Sequence, residues 1–176
     1  GLNISGLMKT FMDRFAYNGH HPRFFKQNAL YVATACGMGL DGAFRAFKHA
    51  KDWGFHTVGQ LGLKCPHYEL SEKATQKNAR AIEQAADKFY HALNRETLPE
   101  AQVHQIMQFN IMKPVMRTLV DYKKNFPGDV KYWTENGWLE KNSAFFYETK
   151  LKIHHRMLGL FIRIVVSILA PIIVPK

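Results

Sequence analysis

The stretch "ALYVATA" (29–35) is nearly continuous in apolar and β-branched residues, and it runs straight into the glycine turn "CGMGLDG" (36–42). "AFRAFKHAKDW" then reads as a helix, and "FHTVGQLGLKC" (55–65) as a second, more loosely patterned strand. Two strands joined through a helix are expected to lie parallel, which confines the chain to an α/β layer fold. The unbroken apolar character of the first strand is that of a strand covered on both faces.

The neighbouring segments extend the pattern. Ile4, Leu7, Met8, Phe11, Met12 and Phe15 recur at helical spacing, with Asn3 or Ser5 as cap and Asn18-Gly19 as the end. "HHPRFFKQN" is a loop. Ser71 caps a helix that carries Ala74, Ala81, Ile82, Ala85, Phe89 and Leu93. Beyond Leu98 only helices are expected. Pro99 suits a helix start, and Val103, Ile106, Met107, Met112, Val115, Met116, Leu119 and Val120 continue the pattern, with an interruption or kink at Pro114 and a stop at Pro127-Gly128. "DVKYWTENGWL" reads as a short helix closed by Gly137 and anchored by Trp133 and Trp138, and a last helix runs from about 150 to about 170. The division is therefore an α/β portion over 1–97 and a helical extension over 98–176. Two parallel strands do not make a stable doubly wound sheet. Further strands are expected before Gly1, in keeping with an opening residue that is not methionine.

Gly37, Gly39 and Gly42 match G-x-G-x-x-G, the turn that holds a dinucleotide pyrophosphate. That fingerprint belongs to the first strand of a sheet and needs an acid at the end of the second to hold the ribose. Here the second strand ends Leu63-Lys64-Cys65, and Glu69 lies past a Cys-Pro turn. A pyrophosphate site is unfavoured. Ligands of open α/β sheets still collect at the carboxyl ends of strands, and glycines there let backbone N–H groups approach a flat ligand. The plain alternative is a tight turn that starts a helix.

Other chemistries are poorly supported. Cys36 and Cys65 are too few for a disulfide framework and fit a reducing compartment; neighbouring strands would bring both to one sheet edge, where unpaired thiols are the favoured reading. Cys65-Pro66-His67 does not make a nucleophile and base, because adjacent side chains point apart and no acid orients them. Nine histidines include no metal-binding spacing. Lys and Arg outnumber Asp and Glu by 24 to 14, a net charge of +10, yet no nucleic-acid module is present. Arg23 in the loop is expected to face solvent or a subunit contact.

The tail is distinctive. After Glu148 there is no acid, while Lys150, Lys152, Arg156, Arg163 and Lys176 remain. Residues 157–174, "MLGLFIRIVVSILAPIIV", are apolar on nearly all sides, with Arg163 and Pro171 inside. That length is at the threshold for spanning a bilayer, about 18 residues, and a central arginine costs about 2.5–3.5 kcal/mol on insertion. Three fates stay open: a helix packed on its own domain or a partner subunit, a peripheral contact with an anionic membrane, and a true span.

Taken in order, "SGLMKTFMDRF", "HHPRFF", the run into "TACGMGL", "WGFHTVGQLGLKC" and "PGDVKYWTENGWL" resemble the flavodoxin-like NAD(P)H-dependent FMN reductases and related quinone-type oxidoreductases. The resemblance covers Gly1 to about Phe146. It implies a flavodoxin-like parallel sheet sandwiched by helices, of which this chain holds the C-terminal part. It implies FMN as cofactor, NAD(P)H as co-substrate, and electron transfer to a quinone, a nitro or azo compound, or a protein. By the same resemblance Leu2, Asn3 and Ile4 are what is left of a loop that touches the flavin ring, and Thr34, Ala35, Cys36, Gly37, Met38 and Gly39 line the isoalloxazine. No protein acid or base is required of such a site, since the cofactor carries the chemistry. The family's phosphate-binding loop has no counterpart in these residues. The reducing compartment points to a cytoplasmic location, with membrane association through the tail among its open fates, and the resemblance implies a homodimer. The rival reading is a non-catalytic helical interaction or membrane-docking fragment with a vestigial flavin face.

Overall fold

The computed structural model describes residues 3–120 and 126–173, without the side chain of the last. The chain divides into two compact units, residues 1–98 and 99–176.

In the first unit, α1 (Gly6–Phe15) begins at Ser5, whose hydroxyl accepts from the Met8 N–H at 3.3 Å. A 3-10 turn (Ala16–Gly19) and the loop lead to β1 (Asn28–Ala35). α2 (Leu40–Ala46) tightens into a second 3-10 turn (Phe47–Trp53) before β2 (His56–Lys64), and α3 (Glu72–Leu93) closes the unit with Ser71 as its cap. β1 and β2 are parallel, in register from Leu30↔Gly59 to Ala35↔Lys64, with one irregularity after Ala29. Tyr31, Met12, Ala50 and Trp53 form the core between α1, the 3-10 turn and the sheet, with Phe15, Phe44, Phe47 and Phe55 around them. α3 packs along β2, and Asn28 Nδ2 donates to the Ala92 carbonyl at 3.0 Å.

Gly54 has a positive φ of 106°, and a Cβ there would stand 3.0 Å from the Phe24 nitrogen. Only glycine lets the chain reverse under the loop, whose Arg23 and Phe24 amides both donate to the Trp53 carbonyl. The expectation that β1 is covered on both faces is corrected: Val32, at its middle, is 51% exposed. Among the described residues the sheet has two strands, so each is an edge and little surrounds its outward side chains.

The second unit is helical. α4 (Val103–Val120) starts four residues after Pro99, and it runs through Pro114 without interruption. Proline removes one ladder bond, while buried neighbours hold the helix on both sides of it. Pro127-Gly128 opens α5 (Pro127–Glu135), with the proline in its first turn, instead of simply ending α4. Gly137 closes α5 at a φ of 68°, and the Trp138 N–H returns to the Trp133 carbonyl at 3.1 Å. α6 (Ile153–Ile173) lies along α4.

Phe109, Trp133, Trp138, Phe145 and Phe146 form one buried aromatic cluster, and Trp138 Nε1 donates to the Phe146 carbonyl. Lys113 is fully buried beside it. Its ammonium lies over the Phe109 ring and donates to the Glu140 and Ser143 carbonyls at 2.6 Å each. Burial, with repulsion from Arg163 and Arg117, pulls its pKa down to about 8. Arg117 donates twice to the Leu139 carbonyl, so two cations clasp one loop by its main chain.

Candidate flavin-facing turn

The turn expected from the sequence to face a flat ligand lies at the ends of the two strands, where β1 hands over to α2. Thr34 and Ala35 end β1, and the Cys65 N–H donates to the Ala35 carbonyl at 2.9 Å, carrying the ladder one step past β2. The chain then bends through Cys36, Gly37 and Met38. Gly39 takes a φ of 106°, and its carbonyl accepts the Ala43 N–H at 3.0 Å to start α2. A left-handed residue is needed at that point, which accounts for one of the glycines structurally. Gly37 is different. A Cβ built on it would meet nothing within 4 Å, so its outer side is open to an approaching ligand. Met38 is 78% exposed beside it.

The dinucleotide alternative fares poorly in this geometry. α2 has only seven residues, Gly42 lies inside it, and Asp41 occupies its first turn. A carboxylate there repels the phosphates that such a helix start would attract.

Cys36 and Cys65 come to neighbouring ends of paired strands, and both are free and exposed. His67 turns not to Cys65 but to Cys36, whose sulfur lies 3.8 Å from His67 Nδ1. Sequence reasoning missed this pair because it depends on strand register, which sets residues 31 positions apart side by side.

Asn3 and Ile4 sit elsewhere. The Asn3 side chain accepts its neighbour's N–H at 2.8 Å, and Ile4 packs on the core at Met12 and Trp53. Together with Lys9, Asp13, His49 and Asp52 they line a cavity of about 440 Å³, of which none of Thr34–Gly39 is a part. Leu2 lies outside the described residues. Asp13, His49 and Asp52 went unnoticed in the sequence because helical and 3-10 spacing scatters them. Among the described residues no group of three or more His, Cys, Asp or Glu side chains is arranged to hold a metal.

A parallel strand pair with helices and a glycine turn at its carboxyl ends is a mixed α/β arrangement compatible with the flavodoxin-like class, although two strands are too few to define that fold. Over 141 residues the chain is 22% identical to a protein of Archaeoglobus fulgidus described as an iron-sulfur flavoprotein. The match takes in 78% of this chain and 61% of that protein's length, and it supports a distant flavoprotein relationship. No family model matches the chain, and no solved structure matches it.

Proposed function

We propose that this chain is part of a flavin-dependent oxidoreductase, in which FMN lies with its ring edge against the turn from Thr34 to Gly39. The supporting observation is the open backbone of that turn. Gly37 presents no side chain and has free space beyond it, at the strand ends where α/β folds collect ligands. The flavoprotein relationship supports the same reading. FMN, when bound, supplies hydride and electron transfer; the protein holds the ring, tunes it through hydrogen bonds and excludes competing reactions. Thr34, Ala35, Cys36, Gly37, Met38 and Gly39 are assigned to the ring. Asn3 and Ile4 line a separate cavity and are not assigned to the ring. NAD(P)H is the proposed reductant, and a quinone, a nitro or azo compound, or a protein the acceptor.

The iron–sulfur half of the relative's description is not carried over. The sequence has two cysteines, against the four thiolates that such clusters ordinarily use.

Gly37→Val tests the reading. The turn has room for the new side chain, so folding should persist by circular dichroism while the path to the ring is blocked. The full-length wild-type protein should take up added FMN, show flavin absorption and oxidise NAD(P)H, and the same protein with Gly37→Val should bind FMN about tenfold or more weakly, a penalty of about 1.4 kcal/mol. A wild type that stays colourless with added FMN and leaves NAD(P)H untouched would instead leave the non-catalytic docking fragment as the reading.

A further inference from the structure

α6 has two faces of opposite character. One lies on α4. Gly159 and Ala170 are buried there, and Arg163 turns the same way, donating through Nε and Nη2 to the Asn110 oxygen at 3.0 and 2.7 Å. The arginine that interrupts the apolar segment is thereby withdrawn from the outer surface. The other face carries Met157, Leu160, Phe161, Ile164, Ile168 and Ile172, exposed by 54% to 77%, and Ser167 is the one polar side chain among the exposed residues from Met157 to Ile172. At about 1.5 Å per residue this strip is over 20 Å long. A continuous apolar surface of that kind marks a site of interaction.

The charges beside it select the partner. The helix is entered through Lys150, Lys152, His154, His155 and Arg156, and no acid follows Glu148 in the sequence. Lys152 is already paired with Glu100 at 2.8 Å; Lys150 and Arg156 are exposed. A cavity of about 440 Å³ joins the two kinds of surface. His155, Arg156 and Arg163 line it together with the exposed Ile153 and with Met157 and Leu160 of the apolar strip. Cationic groups contiguous with apolar side chains match an anionic headgroup joined to acyl chains.

We propose that α6 docks lengthwise on an anionic phospholipid surface. Its outer face enters the acyl boundary, and the cavity at His155, Arg156 and Arg163 receives a headgroup phosphate. The helix is long and apolar enough to cross a membrane by composition. Crossing, however, would carry the Arg163–Asn110 pair and the buried Gln105, Asn110 and Lys113 of α4 towards hydrocarbon, where polar groups are costly. Lying on the surface leaves all of them in protein. The inference does not depend on the flavin reading.

Co-sedimentation of the full chain with vesicles tests it. Most of the protein should pellet with phosphatidylcholine vesicles containing phosphatidylglycerol, and little with phosphatidylcholine alone. Inorganic phosphate should not compete beyond chloride at equal ionic strength. Phe161→Glu with Ile164→Glu alters only exposed positions, so circular dichroism should be unchanged while pelleting is lost. Lys150→Gln and Arg156→Gln should each weaken partitioning about fivefold. Equal binding to neutral vesicles would overturn the proposal. So would retention in the membrane after alkaline carbonate extraction, which indicates a span. Absence of binding to the phosphatidylglycerol vesicles would also overturn it, and a lipid-free dimer that the Glu variants dissociate would give the face to a second copy.

Discussion

The two units bury their side chains to different depths. In the helical unit Ile106, Phe109 and Trp133 have no exposure and Met116 only 1%. In the α/β unit Trp53 keeps 3% and Ala50 4%, while Met12, Tyr31 and Leu61 each keep 9%. The contrast follows from geometry. Helices with intervening aromatic loops enclose a core on several sides, whereas two strands screen theirs only where a helix lies over them. The α/β unit therefore leaves both edges of its two-stranded sheet without a further strand among the described residues. Among the described residues of the helical unit the most exposed apolar side chains lie along the outer face of α6.

Mutations in the two cores should separate them. Trp133→Ala removes the centre of the aromatic cluster and should cost about 3–5 kcal/mol, whereas Leu61→Ala should cost about 2 kcal/mol, at the low end for a buried leucine. Urea titration followed by tryptophan fluorescence and circular dichroism measures both. Equal losses would break the contrast between a closed and an open core.

The pH dependence offers a second handle. Lys113 in the folded chain holds its proton less tightly than in the unfolded chain, with a pKa of about 8 against the ordinary lysine value. Below pH 8 both states are protonated and the full penalty of the buried charge is present. As pH rises towards the ordinary value the unfolded state binds more protons, so stability should increase, by up to roughly 2–3 kcal/mol. Lys113→Met should flatten that rise. Denaturation midpoints at pH 7.5 and 10 for both proteins give the comparison.

A smaller effect is expected where α4 and α6 meet. A Cβ on Gly159 would lie 2.7 Å from Asn110 Nδ2, so Gly159→Ala must push the helices apart or displace the Arg163–Asn110 pair. A loss of about 1–3 kcal/mol in the helical unit is expected, read as a lower urea midpoint with the turn from Thr34 to Gly39 unaffected.

Much of the element order could be read in the sequence, because local signals agreed there. Ser5 and Ser71 cap as their positions suggest, and Gly137 closes α5. Features set by tertiary contacts could not be read in this way. The apolar run of β1 says nothing of whether a second sheet face is filled. Pro114 stays helical because the helix is buried around it. The apolar pattern of α4 lists Ile106, Met116 and Leu119 but passes over Gln105, Asn110 and Lys113, polar residues that are equally buried because each finds a hydrogen-bond or charge partner. Arg163 is a cost inside an apolar segment by sequence alone, and Asn110, 53 positions away, offsets it in the fold. At the candidate site the glycine turn was visible, whereas the approach of His67 to Cys36, and the separation of Asn3 and Ile4 into a different cavity, followed only from the folded arrangement.

The clasp made by Lys113 and Arg117 takes hold of carbonyl oxygens at Leu139, Glu140 and Ser143, and no side chain of that loop takes part in these bonds. Every residue type carries that oxygen. Relatives are thus free to rewrite the side chains of this segment while its path is inherited, provided that the two cationic positions on the helix are kept.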